Sequence, residues 1–138
     1  MPHAVKHCVI NCSDWRLTEE LAGFIKERGQ ADRIEIPGAA LALTQPNSRD
    51  VVLGWIRTLH DLHHFTEVHL IDHTDCGAYR LTYPELQGAS TETERERHAA
   101  HVQQAQQIIS NDPTLKGIRI KGYLYNVGAH QLTEILSS

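Results

Sequence analysis

Short apolar runs alternate along the chain with longer stretches whose apolar residues recur at helical spacing. Ala4 to Asn11 ends in Cys8-Val9-Ile10, a pattern consistent with a buried strand. Thr18 stands at the N-cap of a first helix, with Glu19 and Glu20 in its opening turn, where they complement the helix dipole. Leu21, Phe24, Ile25 and Arg28 follow at helical intervals, and Gly29 suits the position just past the helix end. Arg33 to Ile36 reads as a second strand, closed by Pro37-Gly38. The small residues from Ala39 to Asn47 carry no clear period. Ser48 caps the next predicted helix, in which Val52, Trp55, Ile56, Leu59 and Leu62 make one apolar stripe. Glu67 to Asp72 is a third strand running into His73.

Beyond Cys76-Gly77 the stretch from Leu81 to Ser90 is rich in turn formers. Thr93-x-x-Glu96 has the form of a capping box, placing a helix from there to about Ser110, stopped by Asn111-Asp112-Pro113. Its apolar positions are Ala99, Val102, Ala105, Ile108 and Ile109. Ile118 to Val127 reads as a fourth strand, and Gly128-Ala129-His130 as a turn into a short closing strand, Gln131 to Leu136. Alternating strands and helices predict a single-domain open α/β sheet over residues 1–138, mostly parallel, with helices flanking it. The core order 2-1-3-4, with the closing strand after it, makes strands one and three neighbours. Ligands of such sheets gather beyond the carboxyl ends of the strands. Cys12 would leave strand one there, and His73 and Cys76 would leave strand three.

Composition narrows the function classes. A net charge of −4 and the lack of a basic cluster argue against nucleic acid as the main partner. No apolar run approaches the roughly 18 residues needed to span a membrane, and Met1 to His7 lacks a signal peptide's apolar stretch. A cytoplasmic protein with reduced thiols is expected, and three cysteines speak against a disulfide framework.

Cys12, His73 and Cys76 are three ligands of the type zinc prefers, and three leave the fourth tetrahedral position open. Asp14, with Arg16 two residues on, stands beside Cys12 where a structural site would want another Cys or His. The set therefore points to a catalytic Zn²⁺. Cys8, inside the first strand, is expected to pack in the core. His60, His63 and His64 on the second helix, and His98 and His101 on the third, are read as solvated helix faces. Asp75 is expected to cap the turn between His73 and Cys76, and Gly77 to allow tight backbone near the metal.

Cys12-Ser13-Asp14-Trp15-Arg16, followed about sixty residues on by His73-Thr74-Asp75-Cys76-Gly77, resembles the zinc signature of the β-class carbonic anhydrases. Ile120 to Val127 is similar to that family's last core strand and hairpin, so the chain resembles a compact form of the fold. The resemblance implies reversible hydration of carbon dioxide to bicarbonate, a homodimer or higher homo-oligomer, and catalytic roles for Asp14 and Arg16. In that reading Arg16 holds the Asp14 carboxylate by two parallel hydrogen bonds, and Asp14 orients the activated water. Asp14 can also serve as a fourth ligand, which predicts a closed site at lower pH and an open one at higher pH.

The chain departs from the family pattern in three places. Glu35-Ile36-Pro37-Gly38 stands where the family has Arg/Lys-Asn-Ala-Gly. Trp15 replaces the usual serine. Only eleven residues precede Cys12, so the helical arm that wraps a dimer partner is not expected. Two other functions stay open: hydrolysis of carbonyl sulfide or carbon disulfide, and a non-catalytic zinc-binding or regulatory role.

Overall fold

The computed structural model describes residues 5–137. Ala4, where the sequence places the start of the first strand, lies outside the described residues. The chain runs β1 (His7–Asn11), a single 3₁₀ turn (Trp15–Leu17), α1 (Thr18–Arg28), β2 (Ala31–Glu35), α2 (Ala40–Thr44) and α3 (Arg49–His63). It continues through β3 (Glu67–His73), α4 (Gly77–Thr82), a 3₁₀ turn (Pro84–Leu86) and α5 (Thr91–Ser110). A third 3₁₀ turn (Pro113–Leu115) leads into β4 (Arg119–Asn126) and β5 (Gln131–Ser137). The sheet order is β2-β1-β3-β4-β5, parallel except for the antiparallel β4–β5 pair. This is the predicted open sheet, with the closing strand on its edge.

β1 and β3 are buried along their whole length because helices cover both faces. On one face Cys8, Ile10, Val68, Leu70 and Ile120 pack against α2, α3 and α5. On the other, Val9, Ile71, Tyr123 and Tyr125 meet Leu21 and Phe24 of α1 and Tyr79 of α4. Cys8 is fully buried, as expected, and burial pushes its thiol up to about 12, with the Asp32 charge adding to the effect.

Several element ends differ from the sequence reading. The stretch after Gly38, which carried no period, is α2. Its residues Ala40 to Leu43 are all buried, so no polar face marks it. α5 begins a turn before the predicted capping box: Ser90 is the N-cap and its hydroxyl accepts from the Thr93 N–H. Thr18 is the first residue of α1 rather than its cap, and its hydroxyl donates to the Trp15 carbonyl. Ser48 holds the predicted N-cap position of α3, yet its hydroxyl donates to the Ala42 carbonyl and not to its own helix. In the α3 stripe Val52 and Ile56 are buried, while Trp55 and Leu62 stay exposed.

Gly122 lets α5 pack directly on β4. A Cβ built there would lie 2.3 Å from Val102 Cγ1 and 3.1 Å from Leu136 Cβ. Gly122→Ala is therefore expected to destabilise the fold by about 1–3 kcal/mol, as overpacking of a dense core does. Urea unfolding checks this, and an unchanged midpoint would refute it.

Candidate metal centre

β1 and β3 are adjacent and parallel, with Asn11 opposite Ile71. Cys12 leaves the carboxyl end of β1, His73 is the last residue of β3, and Cys76 closes the turn before α4. The turn is made possible by Asp75 in the left-handed region, at φ 56°. The two sulfurs and an imidazole nitrogen lie within 4.8 Å of one another, and all three residues are buried. Cys12 Sγ and Cys76 Sγ are 4.0 Å apart. Two zinc–sulfur bonds of about 2.3 Å at a near-tetrahedral angle require roughly 3.8 Å. His73 Nδ1 donates to the Thr74 carbonyl at 2.7 Å, which leaves the Nε2 lone pair directed inward. That buried nitrogen makes no hydrogen bond. A buried polar atom without a partner is costly, and a metal ion would satisfy it.

The electrostatics favour a bound cation. The hydrogen bond from Cys76 lowers the Cys12 thiol well below the ordinary thiol range against the opposing cost of burial, with His73 and the Gly38 N–H assisting. The Cys76 thiol is pushed up, because it hydrogen-bonds to the Cys12 thiolate and is itself buried. Burial opposes a charged His73, but Cys12 and the Thr74 carbonyl raise its pKa on balance. Without a metal, one proton is thus shared among groups that all become acceptors once it leaves. This donor set fits zinc.

Asp14 and Arg16 form a fork. Arg16 Nε donates to Asp14 Oδ1 at 3.1 Å and a terminal nitrogen donates to Oδ2 at 2.8 Å, while the Arg16 backbone N–H donates to Oδ1 at 2.8 Å. Arg16 also holds Asp75, through its carboxylate and its carbonyl at 3.0 Å each, and Arg80 binds the other Asp75 oxygen at 3.0 Å. The Arg16 hydrogen bonds hold the Asp14 carboxyl down at about 2, against a desolvation cost. Asp14 Oδ2 is 3.8 Å from His73 Nε2, within reach of anything the imidazole binds. Trp15 stands 80% exposed, so its bulk points into solvent and does not crowd the pair. A cavity of about 180 Å³ adjoins Cys12 and Asp14 and is walled by Trp15, Leu21, Arg33 and Glu35. Arg33 and Glu35 are paired there, so the unusual Glu35 lies beside the crevice.

The layer behind the ligands was not legible in the sequence. Asp72 Oδ1 accepts from the Ala40 N–H at 3.1 Å, and its Oδ2 accepts from Tyr79 Oη and, at 2.7 Å, from His98 Nδ1. Asp72, Tyr79 and His98 are all buried. The residue before one ligand thereby anchors α4, α5 and the start of α2. His98 is therefore not on a solvated face, and neither is His101, which bonds Thr44 Oγ1 at 2.8 Å and Tyr83 Oη at 2.7 Å. A charged residue inside a buried parallel strand was the available signal. Gly77 also departs from expectation: it is exposed and a side chain there would meet nothing within 4 Å. The close approach falls to Gly38, at φ 86°, whose N–H donates to Cys12 Sγ at 3.4 Å and whose Cβ would crowd Leu41 and Ala78. At the end of α3, His63 Nδ1 pairs with Asp32 at 2.7 Å and the exposed His64 follows it, and among the described residues neither belongs to a metal-competent group.

The sequence model of the family described as putative carbonic anhydrase matches residues 3–130. The chain belongs to that family. An uncharacterized protein of Rickettsia bellii is 30% identical to this family member over 132 residues, covering 91% of this chain and 78% of the relative. Among solved structures, one from the tetrameric β-carbonic anhydrases of Sordaria macrospora superposes with a TM-score of 0.69 at 16% identity, covering 99% of this chain and 83% of that one. The apo form of a carbon disulfide hydrolase gives 0.63 at 18% identity, covering 96% and 79%. At these identities the likeness establishes the fold: this is a divergent, compact member of the putative carbonic anhydrase family with the fold of the β-carbonic anhydrases.

Proposed function

We propose that this chain is a zinc-dependent carbonic anhydrase that hydrates carbon dioxide reversibly to bicarbonate. The observation that carries the reading is the unpartnered, buried His73 Nε2 facing two sulfurs 4.0 Å apart. Cys12, His73 and Cys76 would hold a Zn²⁺, which would supply a Lewis acid able to make water nucleophilic near neutral pH. Asp14 is placed to accept a hydrogen bond from the attacking water and orient it towards the substrate. Arg16 fixes Asp14 by its fork and keeps the carboxylate ionised. Because Arg16 also binds the turn between His73 and Cys76, the same guanidinium sets the position of the orienting group relative to the ligands. The cavity of about 180 Å³ beside Asp14 has room for a molecule as small as carbon dioxide.

Stopped-flow hydration by protein carrying one zinc per chain tests the reading. The expected result is a rate well above buffer that rises from neutral to alkaline pH, and a rate equal to buffer at both would reject it. Trp15, on the wall of this cavity, departs from the family pattern and makes a second reading worth testing, in which a sulfur analogue is the substrate. Sulfide release from carbonyl sulfide or carbon disulfide, measured on the same sample, separates the two. A homo-oligomer is part of the proposal: Trp15 and Leu81 are large, apolar and 80% and 88% exposed, and a second copy would cover them.

A further inference from the structure

At the opposite end of the sheet, three more ligand-type side chains converge. His7 opens β1, Glu67 opens β3 directly opposite it, and His69 lies two residues further on the same face. His7, Glu67 and His69 are 7%, 6% and 1% exposed. Their ligand atoms lie within 4.8 Å of one another: His7 Nδ1 is 3.0 Å from His69 Nε2 and 3.7 Å from Glu67 Oε2. We propose that His7, Glu67 and His69 form a second divalent-metal site, separate from the thiolate centre, which staples the start of β1 to the start of β3.

Two zinc–nitrogen bonds of about 2.0–2.1 Å at a tetrahedral angle hold the nitrogens roughly 3.3 Å apart, close to the observed spacing. The second layer suits a ligand. His69 Nδ1 lies 3.1 Å from Tyr123 Oη, and donating there leaves Nε2 free to bind. Phe24 packs edge-on against the His69 ring and fixes its orientation. With His69 Nδ1–H donating to Tyr123 Oη, the 3.0 Å contact in the metal-free state requires His7 Nδ1–H to donate to His69 Nε2. Metal binding moves the His7 proton to its own Nε2, and nothing else is transferred.

Glu67 carries competing partners: Arg119 at 3.3 Å, and Lys6 and Lys121 at 3.9 Å each. Lys6 and Arg119 are largely exposed and Lys121 partly so; all three can swing into solvent. Their charge makes this site weaker than the thiolate centre. With two imidazoles and one carboxylate, it takes a borderline cation such as Zn²⁺, Co²⁺ or Ni²⁺. At about 3.3 Å per strand residue, four residues from His69 to His73 put the two sites about 13 Å apart, too far to share an ion.

Zinc titration of the wild-type protein followed by imidazole NMR tests this. The first equivalent is expected to move the His73 resonances and the second those of His7 and His69. Equilibrium dialysis against excess zinc should give two ions per chain in the wild type and one in His7→Ala. Cys76→Ala should keep an ion that moves the His7 and His69 signals. No response of His7 or His69 to excess zinc would overturn the proposal, as would a second ion retained by folded His7→Ala. Neither result bears on the thiolate centre, which Cys76→Ala reports separately.

Discussion

Cys76→Ala protein is expected to lose the ion held at the carboxyl ends of β1 and β3, and to hydrate carbon dioxide no faster than buffer. The sulfur it removes is one of the three proposed ligands. His73 and Cys12 alone give a two-ligand site, below the three that catalytic zinc requires. The fold should survive, because Cys76, although buried in the layer with Ile71 and Tyr79, sits in a turn at the sheet end and alanine keeps its Cβ there. Metal analysis, expected to show one ion fewer per chain than the wild type, and stopped-flow hydration on the same sample read both effects. Zinc still bound through His73 and Cys12, or undiminished hydration, would show that Cys76 is not a ligand.

Arg16→Ala is expected to keep its zinc, lose about 10²-fold in turnover at neutral pH, and recover part of that loss as pH rises. A loss of this size is typical when one preorganised hydrogen-bonding group is removed. The pH sign follows from proton linkage. In the wild type Asp14 is held at about 2, so it is ionised throughout any assay range and cannot itself produce the profile. Its folded value lies below the ordinary 3.8, so the pairing stabilises the protein above pH 3.8 and that contribution is lost as pH falls through about 2. Without Arg16 the carboxylate is free to take the fourth metal position. Activating water there releases a proton and carboxylate ligation does not, so higher pH favours the open site. The midpoint of the rate profile should therefore move to higher pH in Arg16→Ala. A profile superimposable on the wild type, at unchanged rate, would remove both Asp14 and Arg16 from the catalytic reading.

Much of the positional logic was readable because parallel sheets concentrate chemistry at strand ends. Cys12, His73 and Cys76 are far apart in sequence, yet each follows an apolar run, and one strand order makes those runs neighbours. The bidentate Asp14–Arg16 fork was legible for a similar reason: two residues of separation leave little freedom. What escaped was set by contacts between distant elements. Asp72 looked like one more strand residue, and only the packing of α5 reveals that His98, 26 residues away, bonds to it. α2 has no polar face because the sheet, α3 and α5 enclose it, so it offered no period to detect. The His7–Glu67–His69 cluster depends on the register of β1 against β3, since a slip of one residue would send His7 to the other face.

The most direct measurement of the central claim is zinc-edge X-ray absorption on protein loaded with one equivalent, which fills the thiolate site first. Two sulfur scatterers at about 2.3 Å with nitrogen or oxygen at about 2.0–2.1 Å is the predicted shell. A shell of nitrogen and oxygen alone would contradict it.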